Sequence, residues 1–129
     1  MTQNKWPEDY PTHLTIPPSN ATPIEAYLFR FVQNSPPVAD DFLPSYKDPK
    51  QKHLINRDEI RNKPEFYGTS FFNSENAIRA KKEESPERFK NEEVAAGYIL
   101  ENHGLALRKS KHITVWLYEG QFPNGFELI

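Results

Sequence analysis

The strongest alternation of apolar and polar positions in the chain runs from Lys111 to Gly120. Side chains alternate across a strand with period two, so this segment predicts a strand with two different faces. One face is purely aliphatic, with Ile113, Val115 and Leu117. The other carries an imidazole, a hydroxyl, an indole and a phenol, on His112, Thr114, Trp116 and Tyr118. The first face predicts core. The second is typical either of a ligand-binding cleft or of an ordinary half-buried sheet face.

Short apolar runs elsewhere predict further strands. The segment 25–32 places Tyr27, Phe29 and Phe31 on one face and Leu28, Arg30 and Val32 on the other. Strands are also predicted within 66–72, over 94–100 and 105–108, and at 126–129. Helix-start signals predict short helices over 41–46, over 75–82 with Asn73 or Ser74 as the cap, and over 86–89. This order predicts an α+β fold in which a twisted, mostly antiparallel sheet carries two or three short helices.

Residues 1–23 contain five prolines and therefore predict a proline-rich extended arm, followed by one domain over 24–129. Apolar side chains such as Trp6 and Tyr10 would pin this arm to the domain; the alternative is a disordered tail. An arm of this kind could also pack on another copy of the chain and make an oligomer.

Composition removes several classes of function. Aromatic residues make up 13% of the chain, enough large side chains to exclude wholesale disorder. The net charge of -2 gives no reason to expect a nucleic-acid partner. The absence of cysteine excludes disulfides and thiolate chemistry. The chain contains no apolar run of the ~20 residues that span a bilayer and no apolar leader, so we expect a cytoplasmic protein with no membrane partner.

Charged segments and histidines allow few sites. The mixed charges of 47–64 and 81–93 are typical of solvated surface, and a phosphate-facing basic loop is the alternative for the first. Arg30 either extends its charged head toward solvent or pairs with a carboxylate, or it binds an anion in a pocket. The four histidines have no metal-binding spacing, so no metal site is expected. The glycine-rich phosphate-binding motifs are absent as well.

Several stretches together resemble a group of small bacterial proteins of unknown function. They comprise Leu28–Phe31, Asp41–Phe42, Gly68–Phe72 with Ala77, Gly97, and His112–Thr114 through Trp116 to Gly120. This resemblance implies a soluble bacterial domain and implies no activity.

A second set of residues is similar to the spaced elements of the ADP-ribosyltransferase-like fold, including its small toxin branches. It consists of Arg30 on an early strand, Tyr67–Ser70 on a middle strand and Glu119 after a late strand. The resemblance implies NAD as substrate, with Arg30, Tyr67, Ser70 and Glu119 in catalytic roles and Thr69 binding the ligand. A late carboxylate would stabilise the positive charge that develops when a glycosidic bond breaks.

The sequence therefore leaves two functional hypotheses open. The first is a binding module for an unknown small molecule or protein, without a cofactor, that uses the His112, Thr114, Trp116 and Tyr118 face. The second is the NAD-using enzyme, which requires Arg30, Tyr67 and Glu119 to converge on one cavity. Both depend on whether the strand order brings Arg30 and the 67–70 segment to the late strand.

Overall fold

The computed structural model describes residues 4–129, so Met1 to Gln3 of the predicted arm lie outside the described residues. Six strands form one antiparallel sheet in the order β4-β5-β2-β1-β3-β6. Their bounds are β1 Ala26–Val32, β2 Thr69–Phe72, β3 Glu93–Ile99, β4 Gly104–Lys109, β5 His112–Leu117 and β6 Glu127–Leu128. With two helices and short 3-10 turns, this confirms the predicted α+β class.

The sheet is curled rather than flat. Between β3 and β4 lie three other strands, yet only residues 100–103 connect the two. Four strand spacings of ~4.8 Å in a flat sheet exceed the roughly 17 Å that five extended residues can span. β3 and β4 must therefore approach each other, and Ile99 of β3 and Ala106 of β4 do share one core cluster.

The inner face of the curled sheet holds the main core. Its cluster joins Leu28 and Val32 of β1 to Phe71, Ile113 and Val115. Phe42 and Phe126 enter from loops and pack with their ring centroids 5.1 Å apart. The prediction that Ile113, Val115 and Leu117 face the core is confirmed, because the first two are buried and Leu117 packs against the same cluster.

The outer face is covered in part by α2, Glu75–Glu84. This helix begins where predicted, because the Ser74 hydroxyl accepts a hydrogen bond from the Ala77 amide at 3.0 Å. Ile78 is the helix residue that is fully buried, and it packs with Phe72 and Val94. The other helix, α1, is the single turn Asp58–Arg61.

Two predicted helices were wrong. Over 41–46 the chain forms instead a 3-10 turn at Ala39–Phe42, because extended backbone at Leu43 ends the turn before Pro44. The buried Asp41 carboxylate holds this turn by accepting hydrogen bonds from the Gln33 and Val38 amides and the Asn34 side chain. Over 86–89 the chain makes turns rather than a helix, and Phe89 is buried there.

The first segment contacts the rest of the chain at several points. Trp6 packs on Tyr118 with ring centroids 4.6 Å apart, and the Glu119 amide donates to the Lys5 carbonyl at 2.7 Å. Thr22 pairs with Ala106 at the outer edge of β4. The division of the chain at residue 23 stays a prediction. In the described part of the chain, every helix is too short or too polar to cross a membrane.

Candidate functional site

Seven of the nine predicted site residues line two separate cavities. The first, here named the cationic cavity, has a volume of about 580 Å³ and includes Arg30, Ser70 and His112. The second, here named the tyrosine cavity, has a volume of about 300 Å³ and includes Tyr67, Thr69, Tyr118 and Glu119. Thr114 and Trp116 lie in neither wall.

The cationic cavity opens where β1 and β2 separate. These neighbouring strands share one register pair, Phe29 with Phe72, whereas β1 and β3 share seven. Beyond Phe29 the two strands no longer pair, and Arg30, Phe31 and Ser70 from the separated ends all line the cavity. The backbone groups that a continuous ladder would satisfy need other partners there.

Arg30 supplies those partners. Its guanidinium donates to the carbonyls of Ser70 at 2.6 Å and Asp41 at 2.7 Å, with a longer contact to Leu43 at 3.4 Å. Burial lowers the pKa of Arg30 to about 10, opposed by the charges of Asp48, Glu92 and Asp41, so the group stays protonated at neutral pH. The sequence did not show this arrangement, in which Arg30 binds main-chain carbonyls.

The base of the cationic cavity is aromatic. Phe31 and Phe89 stack with centroids 4.1 Å apart and an interplanar angle of 16°. Phe72 meets Phe31 edge-on at 6.0 Å and lies 4.5 Å from the His112 ring. The hydroxyl-bearing Ser70 is exposed beside them. Phe72 and Phe89 are buried, so Phe31 and His112 are the rings with surface open to a flat ligand.

The rim of the cavity is mainly positive. Four cationic side chains and two carboxylates line it, namely Arg30, Lys50, Lys81, Arg88, Asp48 and Glu92. Lys50 pairs with Glu92, while Lys81 lies 3.8 Å from Glu84. The Arg88 guanidinium lies over the Phe89 ring at 4.8 Å and has no ion pair within residues 4–129. His53 and His112 add two imidazoles.

Sequence reasoning missed most of this rim. Lys50 and His53 lie in the segment 47–64, for which the sequence allowed either a solvated surface or a phosphate-facing loop. Lys81 and Arg88 lie in the segment 81–93, which was expected to be solvated surface. The available signal was Arg88-Phe89, an aromatic residue inside a charged run, which indicates that part of the run packs on the domain.

The polar face of β5 is closed at its centre. Trp116 is fully buried, and its indole donates to the Pro64 carbonyl at 2.9 Å. The backbone at Gly68 crosses so closely that an added Cβ would collide with the Thr114 methyl and lie 3.2 Å from the indole nitrogen. The alternation left open whether this face is a cleft or a half-buried sheet face. In the structure His112 is open to the cationic cavity, whereas the centre of the face is covered.

In the tyrosine cavity the predicted hydroxyls already have backbone partners. Thr69 Oγ1 donates to the Phe42 carbonyl at 2.9 Å, and the Tyr67 hydroxyl donates to the Arg61 carbonyl at 2.7 Å. Burial raises the pKa of Tyr67, although Arg61 opposes this shift. Glu119 is exposed at this cavity. Tyr67 and Thr69 thus shape the wall, and Glu119 is the free charged group.

The predicted convergence of Arg30, Tyr67 and Glu119 is not present. The strand order does place β1, β2 and β5 side by side, but Arg30 lines one cavity whereas Tyr67 and Glu119 line the other. The short segment 41–43 contacts both sites. The carbonyls of Asp41 and Leu43 accept hydrogen bonds from Arg30, and Phe42 and Leu43 line the tyrosine cavity.

Metal ligands do not gather in either cavity: among residues 4–129 there is no group of three or more His, Asp or Glu side chains able to hold an ion. Comparisons with protein-family models, curated proteins and solved structures found no match to this chain.

Proposed function

We propose that the chain is a binding module for a small anionic ligand that carries a planar ring, such as a nucleotide, and that the cationic cavity is its site. The most direct support is the composition of the cavity: cationic side chains outnumber carboxylates in its lining, and its base is aromatic. The volume of about 580 Å³ is within the range of ordinary small-molecule sites, ~300–1,000 Å³.

The chemistry of the cavity fits both parts of such a ligand. Arg88 and Lys81 supply charge-assisted donors to phosphate or carboxylate oxygens, and the fixed fork of Arg88 suits bidentate contacts. The Ser70 hydroxyl and the two imidazoles add neutral or charged donors. A flat ring can stack on the exposed His112 ring, whose own position is fixed by its contact with Phe72.

The proposal is tested by calorimetric titration of ADP, with adenosine as the uncharged comparison. We expect ADP to bind at least about tenfold more tightly than adenosine, because only ADP uses the rim charges, and we expect the gap to shrink as salt is added.

The matched variants are Arg88→Gln and Lys90→Gln. Both residues are exposed and lie in the same turn, but only Arg88 lines the cavity, whereas Lys90 pairs with Glu87 at 3.6 Å. We expect a loss of about 5- to 20-fold in ADP affinity for Arg88→Gln and little change for Lys90→Gln. Equal affinity of all three proteins, or equal binding of ADP and adenosine, would overturn the proposal.

The NAD-using enzyme is the second candidate, favoured by the adjacency of β1, β2 and β5. Its ligand would have to reach both Arg30 and Glu119, which requires the segment 41–43 to move. The test is release of nicotinamide from NAD by the wild-type chain, by Glu119→Gln and by Glu127→Gln, a control that removes an equally exposed carboxylate on β6. Release that only Glu119→Gln abolishes supports this candidate. If NAD binds but no nicotinamide is released, the result supports the binding module and not the enzyme.

A further inference from the structure

The tyrosine cavity has an aromatic wall assembled from distant parts of the chain. Tyr10 comes from the first segment, Tyr67 from the turn before β2 and Tyr118 from the end of β5. Phe42 and Phe122 complete the wall. The rings are close: Tyr10 and Tyr67 lie 6.1 Å apart, and Tyr46 packs behind them at 5.1 Å from Tyr67.

Carboxylates give this aromatic wall a negative environment. Glu119 lines the cavity and forms no ion pair with any residue of the range 4–129. Burial raises the pKa of Tyr10, and the negative charges of Asp9 and Glu119 raise it further. The field of both carboxylates therefore reaches the aromatic wall, where the ring faces are themselves electron-rich.

One cation already uses this cluster. Lys47 Nζ lies 5.4 Å from the centroid of the Tyr46 ring and 3.5 Å from Asp9. Lys47 lines the tyrosine cavity too, but its charge is balanced by Asp9, which leaves Glu119 as the uncompensated group. Aromatic faces combined with one free carboxylate are the chemistry that recognises organic cations.

The first segment closes one side of the cavity. Pro7 and Tyr10 line it, and the segment is held by the Lys5 carbonyl, by Trp6 on Tyr118 and by Asp9, which accepts from the Tyr46 hydroxyl at 2.6 Å. A ligand would therefore be enclosed between this segment and the end of the sheet. Such enclosure removes water and strengthens a cation–aromatic contact.

We propose that the tyrosine cavity binds a small organic cation, a quaternary or methylated ammonium group, with the ring faces around its methyl groups and Glu119 balancing its charge. The volume of about 300 Å³ suits a group of that size at the lower end of ordinary ligand sites. This proposal is independent of the anion site, because the two cavities share no residue.

The experiment compares choline with 3,3-dimethylbutan-1-ol, its neutral carbon analogue of the same shape. Calorimetric titration is expected to show choline binding about tenfold or more tighter, because burial of methyl groups is common to both and only choline carries charge. Equal binding of the two, or no binding of choline at millimolar concentration, would overturn the proposal.

Glu119→Gln keeps the size of the side chain and removes its charge, and Glu127→Gln on β6 is the control. We expect Glu119→Gln to lower the affinity for choline about 3- to 10-fold with the neutral analogue unaffected, and Glu127→Gln to change neither. Choline binding that is indifferent to Glu119→Gln would contradict the assigned role of the carboxylate. An ADP titration of the same proteins separates this outcome from failure of the anion site.

Discussion

The two edges of β1 are joined to their neighbours in different ways. Toward β3 the strand has seven register pairs, so the backbone ladder alone satisfies its polar groups. Toward β2 it has one, and a side chain makes a further link, because Arg30 of β1 donates to the Ser70 carbonyl of β2. The ladder edge is closed, whereas the side-chain edge leaves room for the cationic cavity.

This difference shows where stability and binding depend on single residues. A ladder spreads its hydrogen bonds over many backbone groups, so the polar groups of that edge do not depend on the donors of one side chain. At the β2 edge the Arg30 guanidinium donates to three carbonyls. Gly68, which has no side chain, allows its segment to pack closely on β5. Substitutions on this side should therefore be the costly ones, and the following predictions are ordered by expected effect.

The largest effect is expected for Arg30→Met, which keeps an unbranched side chain and removes every donor. The carbonyls of Asp41 and Ser70 would lose partners in a partly buried place, so we expect the free energy of unfolding to fall by about 2–4 kcal/mol. Urea unfolding measures it. The control is Arg108→Met on β4, an exposed arginine whose guanidinium, within residues 4–129, binds only the Ser110 carbonyl. A loss no greater than that of the control would show that Arg30 does not hold this edge together.

The second effect is expected for Gly68→Ala. Its methyl group would meet Thr114 and Trp116, so the covering segment must shift and we expect a loss of about 1–3 kcal/mol, with altered indole fluorescence. Gly125→Ala is the matched control, because no atom of residues 4–129, apart from the glycine and its chain neighbours, lies within 4 Å of the added carbon there. If both variants unfold at the same urea concentration, the close contact of Gly68 with β5 does not contribute to stability.

A smaller, pH-dependent effect is expected from His103, in the turn after β3. Its Nδ1 accepts the Leu100 amide at 2.9 Å, and burial lowers its pKa. Because the unfolded chain takes up the proton near pH ~6.5 and the folded chain only at lower pH, stability is full above that value and falls as pH drops toward the folded pKa.

His103→Asn retains an acceptor in place of Nδ1 and cannot titrate. Unfolding measured from pH 7.5 downward, to about pH 5, should therefore show a smaller acid-induced loss for this variant than for the wild type. His13→Asn, at an exposed position, should behave as the wild type does. Identical pH profiles for all three proteins would remove His103 as the source.

The sequence predicted those features that depend on local pattern. Strand alternation located β1 and β5, and the Ser74 cap marked the start of α2, because both signals lie within a few neighbouring residues. The 3-10 turn at 39–42 was missed, since the Asp41 carboxylate that holds it reaches back to Gln33. The partners of Arg30 lie 11 to 40 residues away, so no local pattern shows them.

The sequence identified individual site residues but did not show which of them lie together in space. Arg30, Ser70 and Glu119 were singled out for their chemistry, yet the sorting of their side chains into two cavities depends on strand order and on the separation of β1 from β2. The sequence left open whether the face with Trp116 is a cleft or half-buried, because the close approach of Gly68 that covers it is set by packing between segments. Long-range contacts decide these points.

The central claim is that the opening between β1 and β2 is a binding site for anionic, ring-bearing ligands. Its most direct test is an NMR titration of backbone amides with ADP. We predict that the largest shifts occur at Ser70, Arg88 and His112 and are reduced in Arg88→Gln, while amides near Glu119 hold their positions. Shifts centred on Tyr118–Gly120, or no shifts as ADP is raised to millimolar concentration, would contradict the claim.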